Sequence, residues 1–362
     1  MGSSPWSCQF RSRDAAAFTL ESKTELTREE YRHDSPSHQV ATGQQPSAVI
    51  ERLSVSTLGW PNAPTAGLRG AHPTILAAVV RGVVRVRGAP VTSAIVDART
   101  FLAMERTGED TWGFEVTERV ITPGNFLFGG CGLASALVAL EEASGRPTVW
   151  ATAQYLSYAP LGATVTVKTD LAVVGGHVTQ ARATTYCEGR EVLTVNGAFG
   201  TGELTSPTPW ITMPDVAAPE NCPERVMPER FNRSIFNHLE ARIALGRSFG
   251  EIDGTPGSPI SALWSRVPGH FDPSAATLAI FGDYVAGGVT QPLGYPTMGR
   301  SLDNTIRVVS LEPTDWVLTE IHMYALAGGF AQGTAFMWSQ SGTLLATASQ
   351  SIASKIWDVS AL

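Results

Sequence analysis

The sequence predicts an α+β protein built from two tandem copies of one unit, a helix followed by an antiparallel meander of strands. Three observations predict it. After Phe128-Gly129-Gly130, apolar residues recur at helical spacing (Leu133, Leu137, Val138, Leu140) and stop at Gly145, the pattern of one buried helix. Strand-forming runs follow at 148–158, 163–174, 178–187 and 191–199, broken by Pro160-Leu161-Gly162, Gly175-Gly176 and Glu188-Gly189. The punctuation then recurs: Pro313, Gly328, Gly329 and Gly342 lie 153 residues after Pro160, Gly175, Gly176 and Gly189. The same offset carries Thr194 onto Thr347, and Phe128-Gly129 onto Phe281-Gly282 as a second helix start. Backbone geometry dictates residue type at turns, so matched turn residues report a duplicated unit.

Each element then has its own warrant. Residues 1–46 are rich in charge, Ser, Gln and Pro, with few aliphatics to bury, and predict a disordered or peripheral tail that continues as a weakly patterned extension to residue 92. The first unit spans 93–202, opening with a short helix near 101–104 and a strand at 112–116. The Pro- and Thr-rich stretch 203–230, which includes Ser206-Pro207-Thr208-Pro209, reads as a linker. The second unit, 231–362, predicts strands at 234–244 and 262–267 and a helix at 273–285. Four further strands follow at 301–309, 316–326, 330–338 and 343–357.

Composition excludes several function classes. Of 362 residues, 43% are hydrophobic and only 16% charged, with a net charge of −7, so no positive field favours nucleic acid or an anionic membrane. No run approaches the about 18 apolar residues of a membrane span, and the first thirty residues lack a secretory core. The chain is therefore expected to be cytoplasmic. Its Ser360-Ala361-Leu362 ending resembles a peroxisomal signal without the central basic residue, which makes the peroxisome the second choice. Cys8, Cys131, Cys187 and Cys222 form no CxxC pair, and there is no HExxH or GxSxG, so zinc and serine-hydrolase chemistry lose their usual signals.

Comparing the two copies singles out residues. At the 153 offset Asp283 replaces Gly130, Ser301 replaces Thr148, and Gln350 replaces Gly197. A duplicated unit that has specialised one copy keeps structure where its halves agree and chemistry where they differ, which predicts one site per chain. Local motifs agree with this: Phe128-Gly129-Gly130 in the first half, then Asp283, Ser301-Leu302-Asp303 and Ala348-Ser349-Gln350 in the second. In this order they resemble the acyl-CoA thioesterase II-like family, over roughly residues 93–358.

That resemblance implies a double-hotdog fold and hydrolysis of acyl-CoA or acyl carrier protein thioesters, with no cofactor and no metal. It implies Asp283 as the water-activating acid, with Ser301 and Gln350 orienting the water; Asp303 competes for the acidic role. Gly130 and Cys131, through helix-start N–H groups, and His322 are the candidates for contact with the thioester carbonyl or the acyl group. Tyr324 could also face the acyl tunnel, while Met323 and Trp338 read as core or tunnel wall. A homodimer is expected by resemblance. The alternative is a non-hydrolytic hotdog protein, dehydratase-like, cyclase-like or accessory, in a fatty-acid or polyketide-type pathway.

Overall fold

A computed structural model describes residues 97–204, 210–269 and 273–357. The N-terminal extension 1–92 and the Ser360-Ala361-Leu362 ending lie outside the described residues. The first half contains α1 (Ala98–Leu102), β1 (Glu105–Gly108), β2 (Thr111–Glu115), α2 (Gly129–Ser144), β3 (Thr148–Tyr155), β4 (Thr164–Val174), β5 (Val178–Cys187) and β6 (Arg190–Gly200). The second contains β7 (Glu240–Leu245), β8 (Ile260–Arg266), α3 (Ala275–Gly282), α4 (Val285–Gly288), α5 (Thr290–Leu293) and β9 (Thr297–Ser301). It continues with β10 (Asp303–Val308), β11 (Val317–Ala327), β12 (Phe330–Ser339) and β13 (Leu344–Ile356).

All strands join one antiparallel sheet in the order β1-β2-β4-β5-β6-β3-β10-β13-β12-β11-β8-β7, with β9 paired to the end of β13. The halves therefore meet along β3 and β10. Thr152 pairs with Thr305, 153 residues on, and their hydroxyls lie 2.7 Å apart. The local two-fold of this pairing of one strand with its repeat falls on this threonine.

The repeat holds through the meander. β11 begins and ends 153 residues after β4. The turn glycines Gly189 and Gly342 both adopt positive φ, 77° and 89°, where a side chain would be strained. One turn departs from the match. Gly328 and Gly329 both have positive φ in a two-residue hairpin, as tight turns require, whereas His177 lengthens the β4–β5 loop and relieves Gly175 and Gly176 of that demand.

The helices do not obey the strand offset. α2 starts after Phe128 and α3 after Ser274, 146 residues on, so Phe281-Gly282 is the end of α3 and not a helix start. The second unit carries seven more residues between its helix start and its sheet, in a stretch that includes α4, α5 and β9. Asp283 consequently corresponds in the helix to Leu137, not to Gly130. The expected helix over 273–285 breaks at Asp283, which caps α3 before α4 begins. The expected strand over 234–244 is shortened to β7 by a helical turn at Ile235–Asn237, and 301–309 divides at Leu302 into the end of β9 and all of β10.

Every α2 residue from Gly130 to Leu140 is buried, as in a helix enclosed on all sides. α2 and α3 form the core with the inner face of the sheet. A smaller apolar cluster lies elsewhere, where Trp264, Trp316, Leu318 and Trp338 are covered by Met213, Val216 and Cys222 of the linker. Trp338 thus belongs to this cluster and not to a tunnel wall. Among the described residues no helix is long and apolar enough to cross a membrane.

Candidate active site

The start of α2 crosses the end of α3 at close range. A Cβ on Gly130 would stand 2.9 Å from the Ala279 carbonyl oxygen and from the Ile280 Cα, so only glycine permits the approach. The approach brings the Gly130 N–H to 2.8 Å from Asp283 Oδ2, to which it donates. From β13, Gln350 Nε2 donates to Asp283 Oδ1; from β9, Ser301 Oγ donates to the same oxygen at 3.4 Å. The three expected polar residues of the second half therefore meet, and the first half adds a backbone donor. At Gly197, the counterpart of Gln350, a Cβ would lie 2.7 Å from the Trp150 carbonyl oxygen, so the first copy has no room for such a side chain.

Asp283 is 6% exposed and Gln350 2%. Burial raises the Asp283 pKa to about 6, against the opposing pull of Gly130, Gln350, Ser301 and Asn304. Close by lie buried polar atoms with no hydrogen-bond partner among the described residues: Tyr155 Oη, Gln350 Oε1, and both amide atoms of Asn304. The Asn304 amide is near enough to favour the charged forms of Asp283 and Tyr155, yet outside hydrogen-bond geometry. Burial first, then the Asp283 charge, pushes the Tyr155 hydroxyl far above its ordinary pKa, which keeps it a neutral donor.

Asp283, Ser301, Gly129 and Tyr155 all line a cavity of about 940 Å³. A Cβ on Gly129 would stand 2.9 Å from Asp283 Oδ2 and 3.1 Å from Tyr155 Oη. Glycine at this position thus lets the backbone approach both the carboxylate and the phenol.

The remaining candidates are placed differently. The Gly130 N–H is spent on Asp283 and is not free for a substrate carbonyl. Cys131 is fully buried, and burial together with the Asp283 charge pushes its thiol pKa well up. His322 is not at the site. Its neighbour Ile321 lines the cavity, and alternate strand residues face opposite ways; His322 instead pairs with Glu320 at 2.7 Å and packs edge-on against Phe336. Tyr324 is 65% exposed, and Met323 is core. Asp303 accepts from the Ser351 N–H at 2.9 Å and holds the β9–β10 corner.

Tyr155 and Asn304 were not singled out from the sequence, although the repeat carries a signal for both. Their counterparts are Val308 and Ala151, so each is polar in one copy only. Among the described residues no cluster of His, Cys, Asp and Glu could hold a metal ion.

Comparisons with known proteins show the family and the fold. Residues 219–353 match the family model described as the acyl-CoA thioesterase C-terminal domain. A protein from Novosphingobium aromaticivorans DSM 12444, named as a thioesterase, is 30% identical with a TM-score of 0.61, over 69% of this chain and 98% of that one. A hot dog fold protein from Alicyclobacillus acidocaldarius is 20% identical, with a TM-score of 0.64 over 72% of this chain and 98% of that one. The acyl-CoA thioesterase II TesB2 of Mycobacterium marinum is 17% identical, with a TM-score of 0.56 over 72% and 99%. No curated protein matches the chain.

The hotdog architecture, the matched family model and the 30% identical relative together make the chain a double-hotdog thioester hydrolase. The chain belongs to the acyl-CoA thioesterase II-like family.

Proposed function

We propose that the chain hydrolyses acyl-CoA thioesters to the free acid and CoA by direct attack of a water that Asp283 activates. The observation that carries this is the state of the carboxylate. It is buried, with its pKa raised to about 6, and three protein donors bind it. A carboxylate offers about four acceptor positions. Gln350 and Ser301 occupy Oδ1 and Gly130 occupies one position of Oδ2, which leaves one on Oδ2, and Asp283 lines the cavity. A water there has its acceptor fixed in place, and a base of raised pKa accepts its proton more readily than an ordinary aspartate.

The oxygen of that water bonds to the thioester carbonyl carbon as its proton passes to Asp283. Negative charge then develops on the carbonyl oxygen. The available donors are Tyr155 Oη–H and the Gly129 N–H, for which no acceptor exists among the described residues. Collapse of the tetrahedral adduct breaks the C–S bond, and the proton on Asp283 returns to the departing sulfur. Ser301 and Gln350 act as positioning residues on the carboxylate. Exposed Arg300 and Lys355, on β9 and β13 at the cavity rim, suit the phosphates of CoA.

The test is thiol release from a panel of acyl-CoAs by the wild type and by Asp283→Asn. Turnover that falls about 10²- to 10⁴-fold in a folded variant supports the assignment; a variant that keeps wild-type turnover removes Asp283 from the chemistry.

A further inference from the structure

Three arginines border the cavity, and two of them are engaged. Arg247 donates to the Thr255 carbonyl at 2.8 Å and the Gln291 carbonyl at 2.7 Å and lies near Asp253. Arg300 stands exposed and donates to Tyr158 Oη at 3.0 Å. Arg225 differs. Its guanidinium carbon sits 5.2 Å from the Phe236 ring centroid and 5.4 Å from that of Tyr284, and among the described residues its side chain makes no ion pair and no hydrogen bond.

Stacking on aromatic faces satisfies a guanidinium electrostatically but not its donors. An aromatic ring offers no conventional acceptor, so the five N–H donors of Arg225 are unmatched among the described residues, and Arg225 lines the cavity. Its position is built and not incidental. The Arg225 backbone N–H donates to the Ala241 carbonyl at 2.8 Å, and the Glu224 and Arg242 backbones form an antiparallel β-bridge, so the segment is held against β7. Desolvation pulls its pKa below the ordinary arginine value, and no carboxylate compensates.

Arg225 is also placed to meet one end of a substrate. It packs on Tyr284, the residue after Asp283, and the surrounding rings of Phe128, Phe231, Phe236 and Tyr284 form an apolar box. The exposed cations Arg300 and Lys355 lie at the rim instead. An alkyl group in this box would leave the guanidinium donors unmet and remove water from them. A carboxylate would pair with them, and the geometry of a planar fork suits two oxygens.

We infer that Arg225 selects the acyl group, and that the preferred substrates are thioesters whose acyl chain carries a carboxylate beyond the thioester carbonyl. This rests on the assignment of Asp283 to the same cavity. It makes Arg225 a specificity-determining residue with no part in the water attack.

The experiment measures kcat/KM for hexanoyl-CoA and for the carboxy-terminated series succinyl-, glutaryl- and adipoyl-CoA, with wild type, Arg225→Met and Arg225→Lys. The expected result is a wild-type preference of at least about tenfold for one member of the carboxylate series. Arg225→Met should lose about 10- to 100-fold on that substrate, the scale of a lost charged hydrogen bond, and hold or gain on hexanoyl-CoA, whose alkyl chain then meets no unpaired donors. Arg225→Lys should fall between. A wild type that prefers hexanoyl-CoA, or a Met variant that loses equally on both classes, overturns the inference. Calorimetric titration of Asp283→Asn, with and without Arg225→Met, against the same thioesters and CoA alone separates the two readings. If no substrate releases thiol, the general-base assignment fails, while a carboxylate preference in binding that needs Arg225 still supports the inference. If Arg225→Met weakens CoA alone as much as the carboxylated thioester, the guanidinium reads CoA phosphates and the inference falls.

Discussion

Asp283 is held between two opposing effects. Burial favours its neutral form, and the donors from Gly130, Gln350 and Ser301 favour its charge; burial wins, so the pKa rises from 3.8 to about 6. The kcat/KM profile should therefore rise with pH and level off above a midpoint near 6, and a midpoint near 4 would refute this reading of the site. The same shift acts on stability with the opposite sign. Between pH 4 and 6 the folded chain binds a proton that the unfolded chain has released, so stability falls as pH rises through that window, by up to about 3 kcal/mol. Denaturant titrations should show this decline in the wild type and a flatter one in Asp283→Asn. Tyr155→Phe removes a donor and almost no volume; it should lower kcat by about 10²- to 10³-fold with little change in Tm. Cys131→Ala should keep near-wild-type kcat, and the native thiol should resist iodoacetamide, because desolvation keeps it protonated.

At the scale of elements, the α2–α3 crossing governs the site. Gly130 and Gly129 are adjacent and both required, for different reasons. A methyl group on Gly130 would meet backbone atoms of α3, which cannot yield without separating the helices, so Gly130→Ala should cost about 1–3 kcal/mol in chemical denaturation. A methyl on Gly129 would instead meet the Asp283 carboxylate and the Tyr155 ring. Gly129→Ala should therefore lose activity more than stability, and kcat measured beside Tm distinguishes the two. The strands were legible in the sequence because their hairpin turns advertise themselves through local residues such as Gly189 and Gly342. The helix register was not. It depends on a seven-residue difference in loop length that no turn residue marks, and so Phe281-Gly282 imitates Phe128-Gly129 while ending its helix instead of starting it.

Across the whole molecule, the two halves share one sheet through β3 and β10 and one core through α2 and α3. Neither half covers its own joining strand. The second half alone, residues 231–357, would expose the β10 edge that β3 pairs and the α3 face that α2 covers, an invitation to aggregate. Expressed alone it should be insoluble or unfolded by circular dichroism, and the full chain should show one calorimetric transition for the two halves. Two resolved transitions would mean the halves are independent. The arrangement also explains the single site: the first half supplies Gly129, Gly130 and Tyr155, the second Asp283, Ser301 and Gln350, and the copy that would mirror Asp283 holds Leu137.

The duplication and the strand order within each meander were legible in the residues alone, because turn chemistry is local; Gln350 stood out at the strand offset, whereas Asp283 was set against Gly130 although its helix counterpart is Leu137. Tertiary structure alone decided which of those groups touch. It turned the Gly130 N–H onto Asp283, set His322 on the side of its strand away from the cavity, and added Tyr155 and Asn304 from strands paired across the joint. It also left Arg225 stacked on two rings with its donors unmet. The physical reason is common to all of these: a hydrogen bond or a packed ring depends on where distant segments cross, and that crossing is set by loop lengths and sheet pairing that single residues do not encode.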